Sequence, residues 1–208
     1  MKILHGTIGL LLFFMGGILF IQGCAKKEVP QNPSVPVVLD SVVIEDYVGK
    51  RLSVLCVSGE EEGKTAEQVD IETYALSITG MVASAQAHTY EEILNRQHHQ
   101  KTITIESADG WSETLVCEGV LISDLVSTAG PSPGAVGAVF RSVDGYEVSL
   151  PLDYILDNKV ILAHRIDGKA LSAEGGFPFI LISESNQGQN WAKWVTEIEL
   201  ADNVPSKD

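Results

Sequence analysis

KTITIESADGWSETLVCEGV, residues Lys101 to Val120, alternates apolar and polar side chains, breaks at a polar turn around Gly110, and then alternates again. Period two on both sides of a turn is the pattern of strands with one face buried. The interruption carries Ser107 and Trp111. A polar loop held between strands is where a reactive side chain is expected. Ser107 is therefore either that side chain or the occupant of a place from which one has been lost.

The flanking segments extend the pattern. Upstream, RLSVLCVSG (51–59) and TYALSITGMV (73–82) alternate as strands, the second ending near Gly80, and EEEGKTAEQVD (60–70) is an acidic loop. HTYEEILNRQ (88–97) predicts a short helix, with Thr89 as N-cap and Glu91 and Glu92 favourably placed in the first turn. Downstream, LISDLVSTAG (121–130) has helical spacing and ends at Gly130 before Pro131. GAVFRSVDGYEVSLPL (137–152) predicts a hairpin through Asp144 and Gly145, followed by a brief helix at LDYILDN (152–158) and a strand at VILAHRI (160–166). GGFPFILISES (175–185) and WAKWVTEIELAD (191–202) complete the strands. Strands dominate, helices are short and no βαβ rhythm occurs, so the predicted class is α+β, a mixed β-sheet with short helices.

The chain has 208 residues, with 14 Lys and Arg against 28 Asp and Glu and a net charge of −14. Nucleic acid is excluded as a partner, because phosphate neutralisation needs clustered cations and none are seen. At the N-terminus, Lys2 and His5 precede an apolar run from Ile8 to Ile21, too short to span a bilayer and of the length of a signal-peptide core. FIQGC follows and resembles a bacterial lipoprotein cleavage site, with Cys24 as the lipidated residue. The expected organisation is a signal peptide over 1–23, a Pro-rich tether over 24–41, a domain over 42–202 and a tail over 203–208. The expected location is the cell envelope, on the exported side of the membrane, held there by lipidated Cys24. Cys56 and Cys117 remain, each within an apolar run; they read as small buried hydrophobes, with a disulfide as the alternative.

Motifs for catalysis are scarce. No G-x-S-x-G, P-loop, G-x-G-x-x-G, H-E-x-x-H, C-x-x-C or haem C-x-x-C-H sequence occurs. The pair His98-His99 offers metal-ligand chemistry, but neighbouring residues point different ways on a helix, and a solvated helix end is the simpler reading. No residue is assigned as catalytic on motifs alone.

The order of the segments says more. DIETYALSITGMV, TYEEIL, ITIESADGWSETLVCEGVLISDLVSTAG, VFRSVDGYEVSLPLDYI, ILAHRIDGKALSAEGGFPFILI and WAKWVTEIEL fall in a succession that resembles the molybdopterin-binding domain of the sulfite oxidase family, in its small stand-alone prokaryotic form. The resemblance covers Val42 to Asp202. It implies a sulfite oxidase-like α+β fold that binds a pyranopterin dithiolene and its molybdenum. One cysteine thiolate from the loop before the Trp completes the metal's ligands, a soft donor for a redox-active metal. In this chain Ser107 stands at that cysteine's place. Cys117 replaces an aromatic residue before EGV, and Asn190 stands where a basic residue is usual.

On this resemblance Trp111 borders the pterin pocket and Trp191 and Trp194 lie near its phosphate, although all three also suit a core role with a partner for the indole N–H. The cations left for the phosphate are Arg141, Arg165 and Lys193. Three readings of Ser107 follow: a vestige in a metal-free site, an alkoxide ligand to molybdenum, or a bystander while Cys117 reaches the metal. The first is favoured, and molybdopterin is then bound weakly or not at all. The protein becomes a non-catalytic module that binds a small anionic ligand or serves interactions in the envelope. The rival is an active molybdenum oxidoreductase with Ser107 as ligand, moving oxygen atoms or electrons and passing electrons to a separate carrier, since no haem motif is present.

Overall fold

Alternation in the chain becomes two mixed sheets. In the computed structural model, residues 35–48, 51, 69–184 and 191–204 are described. Strands β1 (Val37–Val38) and β2 (Val42–Tyr47) come first, then β3 (Ala75–Gly80) and β4 (Gln86–Thr89), which leads into helix α1 (Tyr90–Leu94). The central hairpin is β5 (His99–Ser107) and β6 (Ser112–Leu121), followed by α2 (Ile122–Ala129), the hairpin β7 (Gly137–Ser142) and β8 (Glu147–Pro151), and α3 (Leu152–Asp157). The chain closes with β9 (Ile161–Ile166), β10 (Lys169–Ala170), β11 (Ile180–Ile182) and β12 (Val195–Ala201).

One sheet runs β1-β5-β6-β9-β10, with β2 also on β5 and β11 also on β9; the other runs β4-β3-β12-β7-β8. Both mix directions, because β1 and β2 lie parallel to β5 and β12 lies parallel to β3 while the other pairs are antiparallel. The expected α+β class holds, with two sheets in place of one. All described residues belong to one compact unit, Gln31–Asp208. Val37 and Val38 pair with β5, so the last part of the segment read as a tether already belongs to the sheet. The strand expected over 51–59, including Cys56, lies outside the described residues except for Arg51.

Local chemistry sets the helix ends. Thr89 Oγ1 accepts from the Glu92 amide and the Glu92 carboxylate accepts from the Thr89 amide, a capping box that satisfies two donors at the start of α1. α2 stops at Gly130, whose φ of 69° is open to a residue without a side chain.

The core has two parts. The larger holds Phe140, Phe179, Leu125, Ile155 and Ile198, together with Tyr74, whose hydroxyl donates to the Val195 carbonyl at 2.7 Å. The smaller holds Ile103, Ile105, Leu115, Cys117, Ile166 and Ile182 around Tyr47. The end of β6 separates them: Cys117 and Leu121 face the smaller cluster and Val120 the larger, so Cys117 through Leu121 are all buried. That double burial is why alternation fades after Cys117.

Candidate functional site

β5 ends at Ser107, and Tyr47 of β2 is its parallel neighbour. The register slips between Ile44 and Tyr47, and Asp46 takes a φ of 53°, a left-handed conformation that Asp tolerates better than most residues. The slip lets both Ile44 and Tyr47 face inward, three positions apart, and brings the Tyr47 main chain against the Ser107 side chain.

The Ser107 hydroxyl is engaged on both sides. It donates to the Tyr47 carbonyl at 3.1 Å and accepts from the Asp109 amide at 3.1 Å. Its own amide donates to the Trp111 carbonyl at 2.9 Å, and the Gly110 amide donates to the Ser107 carbonyl at 2.9 Å. Both side-chain partners are main-chain groups, so Ser107 acts as a turn residue of the β5–β6 hairpin. A general base would be needed to make this hydroxyl a nucleophile, and neither of its partners is one.

Aromatic side chains surround this turn. The Tyr47 ring lies 5.8 Å from Trp111, nearly perpendicular to it, and 6.3 Å from Trp191. The Arg51 guanidinium sits 4.9 Å above the Trp111 ring and donates to the Ser112 carbonyl at 3.1 Å. Tyr47 and Arg51 do not stand out in the sequence; the signal for Tyr47 is one apolar residue at the wrong parity for its strand. Trp191 donates its indole N–H to the Ser183 carbonyl. Trp194 is 3% exposed and donates to the Ala173 carbonyl at 2.7 Å, a core aromatic with a satisfied N–H; it immediately precedes β12 with a φ of 52° and is not part of the strand.

The cations expected to serve a phosphate are dispersed. Arg141 lies on β7 in the other sheet, where Glu147 and Glu199 accept from it at 2.7 Å and Glu197 lies at 3.2 Å. Those carboxylates, Glu199 first, raise its already high pKa. Arg165 lies opposite Glu118, with its guanidinium 3.8 Å from the carboxylate. Lys193 donates to the Glu174 carbonyl at 2.9 Å and rests over Trp194. Asn190 lies outside the described residues.

Strand geometry also separates groups that the sequence invites one to combine. Glu106 pairs with Ser112 at the hairpin tip, whereas Cys117 pairs with Lys101 and Glu118 with Gln100. Five or six residues of strand at ~3.3 Å each put Cys117 and Arg165 roughly 20 Å from the Ser107 turn. Cys117 is therefore no substitute ligand at that loop, and it is fully buried in the smaller core cluster. A molybdenum pyranopterin held in the family's manner needs a thiolate at the turn and free donors for its phosphate. Among the described residues the turn offers a serine already hydrogen-bonded twice, and Arg141 and Lys193 are held by carboxylates and a carbonyl. This donor set does not fit that cofactor.

A second cluster of titratable groups lies at the far end of the hairpin. His98 is not on a solvated helix end: it is partly buried just before β5, while His99 is buried as the first residue of that strand. His98, Glu118 and His164 each present a ligand atom within 4.8 Å of the others. In the sequence these three lie 20 and 46 positions apart; the available signal is a charged residue, Glu118, inside an otherwise apolar run.

Known proteins resemble this chain over most of the described fold. The family description "Oxidoreductase molybdopterin binding domain" matches residues 62–207. The uncharacterized oxidoreductase YuiH of Bacillus subtilis is 26% identical over 132 residues, covering 63% of this chain and 67% of that protein. The protein-methionine-sulfoxide reductase catalytic subunit MsrP of Gluconobacter oxydans is 25% identical over 150 residues, covering 64% of this chain and 48% of that protein. The crystal structure of the sulfane dehydrogenase SoxCD from Paracoccus pantotrophus has the same fold, with a TM-score of 0.61 at 24% identity, over 67% of this chain and 41% of that one. The chain thus spans about two thirds of the Bacillus protein and less than half of the other two. With the two mixed sheets, the hairpin ending in Ser107 and a family match over most of its length, the chain belongs to the oxidoreductase molybdopterin-binding domains of the sulfite oxidase type.

Proposed function

We propose that this protein is a lipid-anchored component of the bacterial cell envelope that keeps the molybdopterin-binding fold as a non-catalytic binding or interaction module. The observation that carries this reading is the state of Ser107. At the position of the family's metal-ligand cysteine stands a hydroxyl that closes a hairpin through the Tyr47 carbonyl and the Asp109 amide. Ligating a metal would require Ser107 to give up the bond it donates and lose a proton far less acidic than a thiol's. The commitments of Arg141 and Lys193 support the same reading, since a phosphate dianion would have to compete for them.

Metal analysis of the full chain, produced in a molybdenum-replete host that makes the cofactor, tests this. Molybdenum is expected to stay far below one per chain in the wild type and to be unchanged by Ser107→Ala. Stoichiometric molybdenum that disappears in Ser107→Ala would establish the rival, an active oxidoreductase with a serine ligand. Molybdenum gained only in Ser107→Cys would show that the pocket persists and the ligand alone was lost.

The anchor is tested separately. Cys24→Ser is expected to abolish the acyl mass increment on the mature N-terminus and to move the protein from the detergent phase to the aqueous phase. Wild-type protein that is already aqueous and unmodified overturns the anchor and leaves the reading of the fold untouched.

A further inference from the structure

His98, Glu118 and His164 come from three neighbouring stretches of one sheet: the residue before β5, the middle of the buried part of β6, and β9. A bulge brings them together. Glu118 pairs with Arg165 but Gly119 pairs with Ala163, so β9 carries one extra residue at this point, and that residue is His164. Bulges redirect a side chain that would otherwise follow the alternation. Here the imidazole of His164 ends with Nε2 3.8 Å from Glu118 Oε1, and the same oxygen lies 3.5 Å from His98 Nδ1.

The cluster is unsatisfied as it stands. Neither contact is short enough to be a hydrogen bond between the imidazole and the carboxylate. His164 is 6% exposed, and its Nε2, the nitrogen turned toward Glu118, has no partner among the described residues. Burying such an atom unpaired is unfavourable. Burial, with His98 adding to it, pushes the His164 pKa down to about 4. Glu118 is held below the usual carboxylate range, against its burial, by the Gln100 hydrogen bond and by His164, Arg165 and His98 facing it. Gln100 Nε2 donates to Glu118 Oε2 at 2.9 Å, leaving Oε1 turned toward both imidazoles.

We propose that His98, Glu118 and His164 form a binding site for one divalent transition-metal ion, Zn2+ in the first instance. Two imidazoles and one carboxylate are a donor set that suits zinc, with bonds of ~2.0–2.1 Å and donor atoms therefore about 3.4 Å apart in a tetrahedron. The 3.5 and 3.8 Å separations from the carboxylate oxygen are within a few tenths of an ångström of that value, and all three ligand atoms lie within 4.8 Å of one another. Gln100 supplies the orienting partner that metal-binding carboxylates commonly have. Three protein ligands leave a fourth position for water. Among the described residues Arg165 opposes the ion, 3.8 Å from the same oxygen, but half of its side chain is exposed and it can turn to solvent. The site lies roughly 20 Å along the hairpin from Ser107, at ~3.3 Å per residue, so it is independent of the molybdenum question.

Calorimetric titration of ZnCl2 into the EDTA-treated full chain in detergent tests the site. One Zn2+ per chain is expected, with a raised melting temperature. Gln100→Ala should weaken binding by ~10–100-fold, as loss of an orienting partner does, and Glu118→Gln and His98→Ala by more than that. Glu118→Gln keeps the size of the side chain, so an unchanged circular dichroism spectrum separates loss of metal from loss of fold. Arg165→Gln is expected to tighten binding several-fold, an effect opposite to that of a merely structural arginine. Co2+ should give visible ligand-field bands that are absent from His98→Ala. Failure of the wild type to bind Zn2+, or equal binding by wild type, Glu118→Gln and His98→Ala, overturns the proposal.

Discussion

Gly119→Ala is expected to lower the melting temperature by ~8–16 °C, the equivalent of about 4 kcal/mol at 2–4 °C per kcal/mol for a domain of this size. A Cβ on Gly119 would fall 2.0 Å from the Leu162 carbonyl oxygen and 2.6 Å from the Ala163 Cα. Both are backbone atoms of β9, so no side chain can move aside; the two strands must part where β6 lies between the two core clusters. The cost is steric, since Gly119 has no left-handed φ to protect. Gly145→Ala is the matched control. Gly145 has a φ of 80° and open space around it, so alanine there should cost only the ~1 kcal/mol of a left-handed residue. Scanning calorimetry of the two variants distinguishes crowding from conformational strain. A Gly119→Ala protein that melts within a degree or two of wild type would show that β6 and β9 are not this close. The same variant should also lose the Zn2+ affinity of the His98–Glu118–His164 cluster, because the β9 bulge beside Gly119 is what aims His164.

Lys101→Met is expected to cost about 3 kcal/mol, as breaking a buried ion pair from one side does. Lys101 is 6% exposed on the inner face of β5. Its ammonium pairs with the Glu184 carboxylate and donates to the Asn158 carbonyl at 2.6 Å. Burial pushes its pKa down to about 8, with Cys117 on the opposite strand pulling the other way, so it is still charged at neutral pH. Methionine keeps the length of the side chain and removes the charge, which leaves a mostly buried Glu184 carboxylate and the Asn158 carbonyl without their donor. Lys101→Met/Glu184→Leu should recover most of the loss, because replacing both members by apolar groups removes both desolvation penalties. Urea denaturation of the two single variants and the double gives the coupling directly. Additive losses would show that the pair does not act as one unit.

Much of the local structure is legible in the chain itself. Thr89, Glu91 and Glu92 announce α1 and Gly130 ends α2, because capping is a matter of a few adjacent atoms. Asp144 and Gly145 announce the β7–β8 turn, where the Asp144 carboxylate accepts from the Tyr146 amide at 3.0 Å. Other features were in the text but easy to pass over. Lys101 and His99 share the parity of Ile103 and Ile105, which places both on the buried face of β5. β1 and β4 are short, and a strand of two to four residues carries too few alternations to stand out. The disposition of Arg141, Arg165 and Lys193 was not legible at all, since nothing local reveals which carboxylate a cation will meet.

The sequence by itself determined the succession of strands and helices, the family they belong to, and the absence of sulfur at Ser107, because periodicity, caps and residue identity are local properties. Only the tertiary structure decided what Ser107 does, through the register slip that sets the Tyr47 carbonyl against its hydroxyl. Only the tertiary structure likewise separated Cys117 and Arg165 from that turn and gathered His98, Glu118 and His164 around a single carboxylate oxygen. Register and bulges arise from pairing between residues far apart in the chain, and one residue of slip sends a side chain to the other face of the sheet.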